Sequence, residues 1–476
     1  MRLARMAVSL IVAAVITVAV GAGYNCVLTR MQIVPALLAC SGLWLLLWAI
    51  VTGLLGRVYC STVCPMGTLQ DVIARISRRR RGYFYTPAMP ALRWVACVLG
   101  FTFLTVLLDP YSSYARIVAY LGVPVIDWLR GALGHPAARA ATVSVASAVI
   151  AMSTLAFVAV FAVTRGRLLC NTLCPVGTLL GAMSRYAVYH VDINTDRCIG
   201  CGRCVEVCKS SCINPSDHTV DLSRCVVCLD CVASCRNSAI TYRRGRHRLS
   251  MPMLETVGGK AGQTGQTACR RAGSAADSVR PIDRRAFIAA IVAVSASGKA
   301  FGEMTTALRP LNHVIPPGTL SLDDFMLRCT GCGACSTACV TGVIRPSDNE
   351  FGLRHALHPV MNFDYGPCRY DCVACTRVCP TGALQPLSVG EKHRTVIGKA
   401  RIEPDLCIMY ADGDPCGLCA RRCPNGSVSI VPVDGLASSG RQRRLPLIDF
   451  DTCIGCGECR WVCPARPRAI VIEGDK

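Results

Sequence analysis

Six times along this chain four cysteines recur with the same closing step, C-x2-C-x3-C, and no other feature restricts its folding so strongly. The runs are Cys198, Cys201, Cys204 and Cys208; Cys225, Cys228, Cys231 and Cys235; Cys329, Cys332, Cys335 and Cys339; Cys368, Cys372, Cys375 and Cys379; Cys407, Cys416, Cys419 and Cys423; and Cys453, Cys456, Cys459 and Cys463. Disulfide frameworks space their cysteines irregularly, whereas repeated three-residue steps are metal-ligand spacing. Closely spaced thiolates can wrap three corners of a 4Fe-4S cube while the fourth cysteine reaches the other cube of a pair. Structural zinc normally takes two separated C-x2-C knuckles instead.

On this logic one cluster takes Cys198, Cys201, Cys204 and Cys235, and the next takes Cys225, Cys228, Cys231 and Cys208. Pro380, Pro424 and Pro464 follow three of the later runs as in bacterial ferredoxins, but neither early run has that proline, and Cys212 stands where it could compete with Cys208. Among the four C-terminal runs, spacing leaves the exchange of fourth ligands open. Six clusters are expected. Small cysteine-rich units of this kind draw their folding energy largely from the bound group, and several centres in series imply electron transfer rather than catalysis at any one.

A second repeat lies upstream. "RVYCSTVCPMGTL", 57–69, and "RLLCNTLCPVGTL", 167–179, agree at eight of thirteen positions. Each follows an apolar run, in a chain that is 52% hydrophobic with positive mean hydropathy. Four spans are expected at Met6–Ala22, Ile33–Leu55, Trp94–Leu108 and Ala140–Thr164, since a helix needs about 20 residues to cross the hydrocarbon core. Arg57, Arg75, Arg78 to Arg81 and Arg93 place the loop between the second and third spans, and with it the N-terminus, on the cytoplasmic side. The net charge of +21 is read as membrane topology, not as a nucleic-acid footprint. Cys60, Cys64, Cys170 and Cys174 then lie at the same membrane face in a parallel repeat. Three readings stand for them: one shared metal centre, which would be a seventh; redox-active thiol pairs; or small apolar residues at helix ends. Cys26, Cys40, Cys97 and Cys269 have no ligand spacing and read as structural.

No C-x-x-C-H attaches a c-type haem, no histidine lies in an expected span, and neither G-x-G-x-x-G nor a Walker A sequence occurs. The donor expected is therefore a membrane quinol rather than a bound nucleotide. "DRRAFIAAIVAVSASG", 283–298, carries Arg284 and Arg285 before a short apolar stretch and resembles a twin-arginine export signal inside the chain.

With these motifs in hand, residues 1 to about 245 resemble the NapH family of membrane ferredoxin-type proteins, and residues from about 283 onward resemble the NapG/MauM family. The resemblance implies a fused electron conduit in a bacterial cytoplasmic membrane, with the C-terminal domain periplasmic. Its partners would be lipid and the quinone pool on one side and a nitrate-type terminal reductase or its cytochrome on the other. The expected fold is an α-helical membrane domain of four spans followed by α+β ferredoxin-like domains. The expected divisions are 1–189 for the membrane domain, 190–242 for a two-cluster domain, 243–304 for a basic linker with the twin-arginine-like segment, and 305–476 for a four-cluster domain. A quinol dehydrogenase role follows from the resemblance alone. The alternative is an accessory reductase for assembly of a membrane metalloenzyme.

Overall fold

The computed structural model describes residues 2–77, 82–86, 90–102, 109–133, 144–245, 313–347, 357–436 and 442–474. The twin-arginine-like segment and most of the expected linker lie outside these residues, as does Cys269.

Two helices, Arg2–Ala22 (α1) and Val145–Arg165, are long and apolar enough to cross a membrane, among the described residues. Their side chains are arranged inside out relative to a water-soluble bundle. In α1 the inward stripe is Ser9, Ala13, Ile16, Ala19 and Val20, while Leu3, Val8, Leu10, Ile11, Val15 and Val18 face outward. In the second helix Ser147, Ala151, Val158 and Ala162 face inward, and Val145, Val149, Met152, Phe157, Val160 and Val163 face outward. Small residues inside and large aliphatic ones outside suit helix contact in lipid, where burying apolar surface drives nothing and close backbone approach does.

Four uninterrupted spans do not appear among the described residues. The expected second span, Ile33–Leu55, is two helices, Ile33–Leu38 and Gly42–Leu55. Cys40 between them has a φ of 52°, a left-handed turn that hydropathy does not reveal. At 14 residues and about 1.5 Å per residue, the second piece falls short of a roughly 30 Å hydrocarbon core. The third expected span begins in Pro90–Thr102, and its remainder lies outside the described residues.

The stretch between the third and fourth expected spans is helical over 110–132. Asp109 caps Pro110–Ile117 by accepting hydrogen bonds from the Tyr111 and Ser112 amides, and Pro110 takes the first turn, where its missing N–H costs nothing. Residues Pro110–Arg116 are all buried. The helix loosens into a π turn at Val118–Gly122 before continuing as Val123–Ala132. Pro124 has no N–H to offer the Tyr120 carbonyl, which accounts for the slipped register.

The cysteine-rich parts use short antiparallel strands to close each unit. Tyr189–Ile193 pairs with Ile240–Arg244, from Tyr189 opposite Arg244 to Ile193 opposite Ile240. The first two cysteine runs lie between those strands in sequence. Lys399–Ile402 pairs with Ile470–Glu473 around the last two runs, and Ile344–Pro346 with Pro359–Met361 between the third and fourth. The two C-terminal units share one core, which includes Val343, Ile344, Phe363, Ile397, Ala400 and Ile470.

The two cysteine-rich modules meet opposite ends of α1. At its start Arg2 Nε lies 2.7 Å from Asp230 of the first module. At its end the Val20 carbonyl accepts a 2.9 Å hydrogen bond from Thr337 Oγ1 of the second, and Asn25 Nδ2 donates to the Arg377 carbonyl at 2.6 Å. Gly23 permits this second contact. Its φ is 68°, and a Cβ there would stand 2.7 Å from Ala338 Cα. Gly23→Val should therefore separate the halves. After cleavage at a protease site introduced between residues 246 and 312, the wild-type pieces are expected to co-elute in size-exclusion chromatography and those of the variant to elute apart.

Candidate metal and cluster sites

Each cysteine run ends in a short helix. In five of the six, the exception being the fourth, where Val373 has a φ of −123°, the turn ahead of that helix needs left-handed backbone. Gly200 and Gly202, Gly331 and Gly333, and Gly455 and Gly457 supply it. In the second run Val227 and Leu229 adopt the same positive φ, an unusual demand on a β-branched residue.

Around these turns the thiols collect into sets. Cys198, Cys201, Cys204 and Cys235 line one cavity, and Cys225, Cys228, Cys231 and Cys208 line the next, the exchange that the spacing predicts. The structure also resolves the C-terminal exchange. Cys329, Cys332 and Cys335 share a cavity with Cys379. Cys368 and Cys375 interact electrostatically both with Cys372 and with Cys339. Cys407, Cys416 and Cys419 gather with Cys463, and Cys453, Cys456 and Cys459 with Cys423. Backbone amides point at some of the sulfurs, with Ala239 N 3.3 Å from Cys235 Sγ and Leu384 N 3.4 Å from Cys379 Sγ. Among the described residues no three Cys, His, Asp or Glu side chains converge as one bound ion would draw them. The thiols stand around cavities instead, the arrangement that a cube with iron at four corners needs. Four soft donors, apolar walls and amide N–H groups aimed at sulfur fit that group.

The second cavity holds a fifth thiol, because Cys212 also lines it and its sulfur lies 3.5 Å from that of Cys208. Sequence reasoning missed Lys392, which is fully buried and whose charge acts on the Cys368 thiol. Nothing in the spacing pointed to it.

The twin C-x3-C-P stretches also come together. In each copy the first cysteine rides a short helix, Val58–Thr62 or Leu168–Thr172. The second caps a longer one, Pro65–Ile76 or Pro175–Ser184, with the proline in its first turn. Cys64 is acted on by Cys60 and Cys170, and Cys174 by all three others. Burial first, and then the neighbouring thiols, push Cys64 and Cys174 up from the ordinary thiol value. Cys170 is also raised, by burial and Cys60 against the pull of two arginines. Thiols held neutral in this way are deprotonated when they coordinate a metal.

Two arginines bind the copies reciprocally. Arg57 Nη2 reaches the Cys170 carbonyl at 3.4 Å, and Arg167 Nη1 reaches the Cys60 carbonyl at 2.6 Å. Gly67 and Gly177 make room, since a Cβ would stand 2.5 Å from the Cys60 carbonyl oxygen or 2.1 Å from that of Cys170. Expected as solvated topology charges, Arg57 and Arg93 are buried. Arg57 Nη1 donates to Asn171 Oδ1 at 2.8 Å and to the Ser223 carbonyl at 3.0 Å, and Arg93 Nη1 donates to Ser223 Oγ at 3.0 Å. The repeated arginine three places before each first cysteine was the signal that could have revealed this role. Asn171 Nδ2 donates to the Ser210 carbonyl at 3.1 Å and the Arg167 amide to that of Lys209 at 2.8 Å, so the paired cysteines sit directly against the module carrying Cys208 and Cys225. Of the four cysteines expected to be structural, Cys97 lies against the same site, its thiol 3.7 Å from the Pro175 carbonyl.

Asp71 neutralises Arg167 at 2.9 Å and Lys209 at 3.5 Å. Burial alone would raise its carboxyl, but Arg167 and Lys209 hold it below the ordinary value. Asp71→Ala leaves Arg167 buried without its partner and is expected to cost about 3–5 kcal/mol in chemical denaturation. Because the folded pKa is depressed, the stabilisation is complete above the unfolded carboxyl's value of about 3.9 and fades as pH falls through the lower folded one. The gap between wild type and variant should therefore narrow in acid.

A 4Fe-4S binding domain family matches residues 40–83 and 147–191, the two copies of the C-x3-C-P repeat. A second 4Fe-4S binding domain matches 189–210, and 4Fe-4S dicluster domains match 328–384 and 414–466. The methylamine utilization ferredoxin-type protein MauM of Methylorubrum extorquens is 33% identical over 159 residues, 33% of this chain and 70% of that protein. MauM of Methylobacillus flagellatus is 28% identical over 185 residues, covering 38% and 77%. The ferredoxin-type protein NapG of Escherichia coli is 28% identical over 203 residues, covering 40% and 84%. No solved structure matches the chain.

Proposed function

The chain belongs to the MauM family of ferredoxin-type proteins, and from that premise we propose that it carries electrons across a membrane, from quinol to a terminal reductase or its cytochrome. Iron-sulfur electron transfer is the activity common to this family and to NapG. The membrane-spanning role, the NapH-like character of residues 1–245, the quinol donor and a periplasmic, nitrate-type acceptor make up the proposal.

The observation that carries it is the placement of the two cysteine-rich modules at opposite ends of α1. A helix of 21 residues extends roughly 31 Å at about 1.5 Å per residue, close to the thickness of a bilayer's hydrocarbon core. Outward-facing Leu10, Ile11, Val15 and Val18 support lipid around it. The first module would then lie on the cytoplasmic side and the second on the periplasmic side.

When bound, 4Fe-4S clusters supply one-electron acceptance and release at each of the six thiol sets. The protein's own residues do the rest. The exchanged cysteines tie neighbouring sets together, backbone amides orient the sulfurs, and the apolar walls exclude water. Cys60, Cys64, Cys170 and Cys174 would hold a seventh centre. Reciprocal Arg57 and Arg167 fix the two copies face to face, and the match of a 4Fe-4S binding domain to both copies supports the same group there. The core that contains Cys60 and Cys64 also contains Cys228 of the first module, with Cys332 of the second packed against it, so one continuous packed region links the three.

Two measurements test this. In spheroplasts, external protease should remove a tag placed after Lys476. Protection would put every set on one side, defeat the conduit, and favour an accessory reductase working inside the cell. In anaerobically purified protein, Cys170→Ser should lower iron by about four atoms of roughly 28, one cube of seven. Unchanged iron would mean that the paired cysteines hold no cluster.

A further inference from the structure

We propose that Arg116 and Tyr120 of the N-terminal domain are positioning residues for the Cys329, Cys332, Cys335 and Cys379 set, and make it the point at which electrons enter the C-terminal module. The proposal rests on the reading of that set as a cluster site.

Both side chains are nearly inaccessible, at 1% and 2% exposure, yet neither is satisfied within its own domain. Arg116 Nη2 donates to Ser113 Oγ at 3.0 Å, while Arg116 Nε and Nη1 and the Tyr120 hydroxyl have no hydrogen-bond partner. A buried donor without an acceptor costs about 1–3 kcal/mol, more when charged, so three together call for an explanation.

The place they occupy provides one. Gly333, between Cys332 and Cys335, packs so closely that a Cβ there would lie 3.0 Å from Tyr120 Oη and 3.1 Å from Ala119 Cβ. Tyr120 is acted on by Cys335, Cys332 and Cys329, and Arg116 by Cys332. Tyr111, one turn earlier, is acted on by Cys332 and Cys379. The acidic neighbour, Asp109, has both oxygens engaged in capping, by the Tyr111 amide at 3.3 Å and by the Ser112 amide and hydroxyl at 2.8 and 2.5 Å. Asp109 therefore gives the guanidinium no hydrogen bond, and its charge acts on Arg116 together with Tyr120 and Cys332.

A cube held by four thiolates is anionic and gains a further negative charge on reduction. A buried cation and a hydroxyl donor beside it favour the reduced form and raise the midpoint potential. At the other end of the helical domain, Arg57 likewise acts on Cys225 of the second set. The π turn at Val118–Gly122 contributes by bringing Ala119 and Tyr120 against Gly333, a use to which such bulges are often put. On the inner side, Tyr59 is acted on by Cys64, Cys60 and Asp109. The aromatic core thus continues from the paired cysteines through Tyr59 and Tyr111 to Cys332.

The test is an EPR-monitored redox titration of the full chain in detergent. Cys335→Ser first identifies the signal that belongs to this set. Arg116→Gln should shift that signal's midpoint downward and leave the others in place, Arg116→Lys should retain it, and Tyr120→Phe should move the same signal by a smaller step. Unchanged midpoints in Arg116→Gln and Tyr120→Phe, with all signals present, would overturn the proposal, as would equal shifts in every signal. If Arg116→Gln loses the signal altogether, the Arg116→Lys and Tyr120→Phe titrations decide. Absence of any cluster signal in the wild type would overturn the cluster reading itself.

Discussion

The exchange of the fourth cysteine between neighbouring runs is the constraint on which the structure depends. A run of three thiols and its short helix cannot close a site alone, because the fourth thiol of each run points away into the adjacent set. Two runs must therefore fold together, and the short strand pairs at Tyr189–Ile193 with Ile240–Arg244 and at Lys399–Ile402 with Ile470–Glu473 hold the ends of such a double unit. With little apolar core available to a unit of this size, ligation supplies what burial cannot. The shared core of the two C-terminal units then makes a four-set module out of two doublets.

The helical domain is held together differently. Its long helices turn mainly Ala and Ser inward, with Ile16, Val20 and Val158, and Leu, Val and Phe outward, so its cohesion comes from close contact and from buried polar ties. Those ties are concentrated at one end, where Arg57, Arg93, Arg167 and Asp71 join both hairpins to the first module. At the other end the join is lighter, made by Gly23, Asn25 and the 110–122 segment against residues 333–338 and 377. The same small helical region thus holds one partner by ion pairs and the other by shape.

The grouping of the first two thiol sets around common cavities was legible in the sequence, because the spacing is local. The sets Cys198 to Cys235 follow directly from the step of three. The C-terminal exchange was not, since which run lies beside which depends on Phe363, Ile397 and their neighbours packing across the units. Hydropathy overstated the spans for a physical reason. Window averages see composition, and Ala39, Cys40 and Ser41 are as apolar or neutral as a helix interior while adopting a turn. The buried arginines were misread because a charge beside an apolar run usually stays in water, whereas Arg57 and Arg167 find carbonyls, Asn171 and Asp71 instead. The helix that begins at Asp109 carries its signal locally, since Asp followed by Pro supplies a cap and a first turn.

The paired hairpins are alike in backbone but no longer alike in chemistry. Gln70 and Asp71 of the first copy correspond to Leu180 and Gly181 of the second, and only the first copy pairs with the arginine of the other through a carboxylate. Each hairpin carries half a thiol set and an arginine whose acceptor lies in its counterpart. A chain with a single hairpin would have had to pair with a second copy of itself to complete the site. Duplication within one chain removed that need and allowed each half to specialise, which is why exchanging the two halves would not return an equivalent protein.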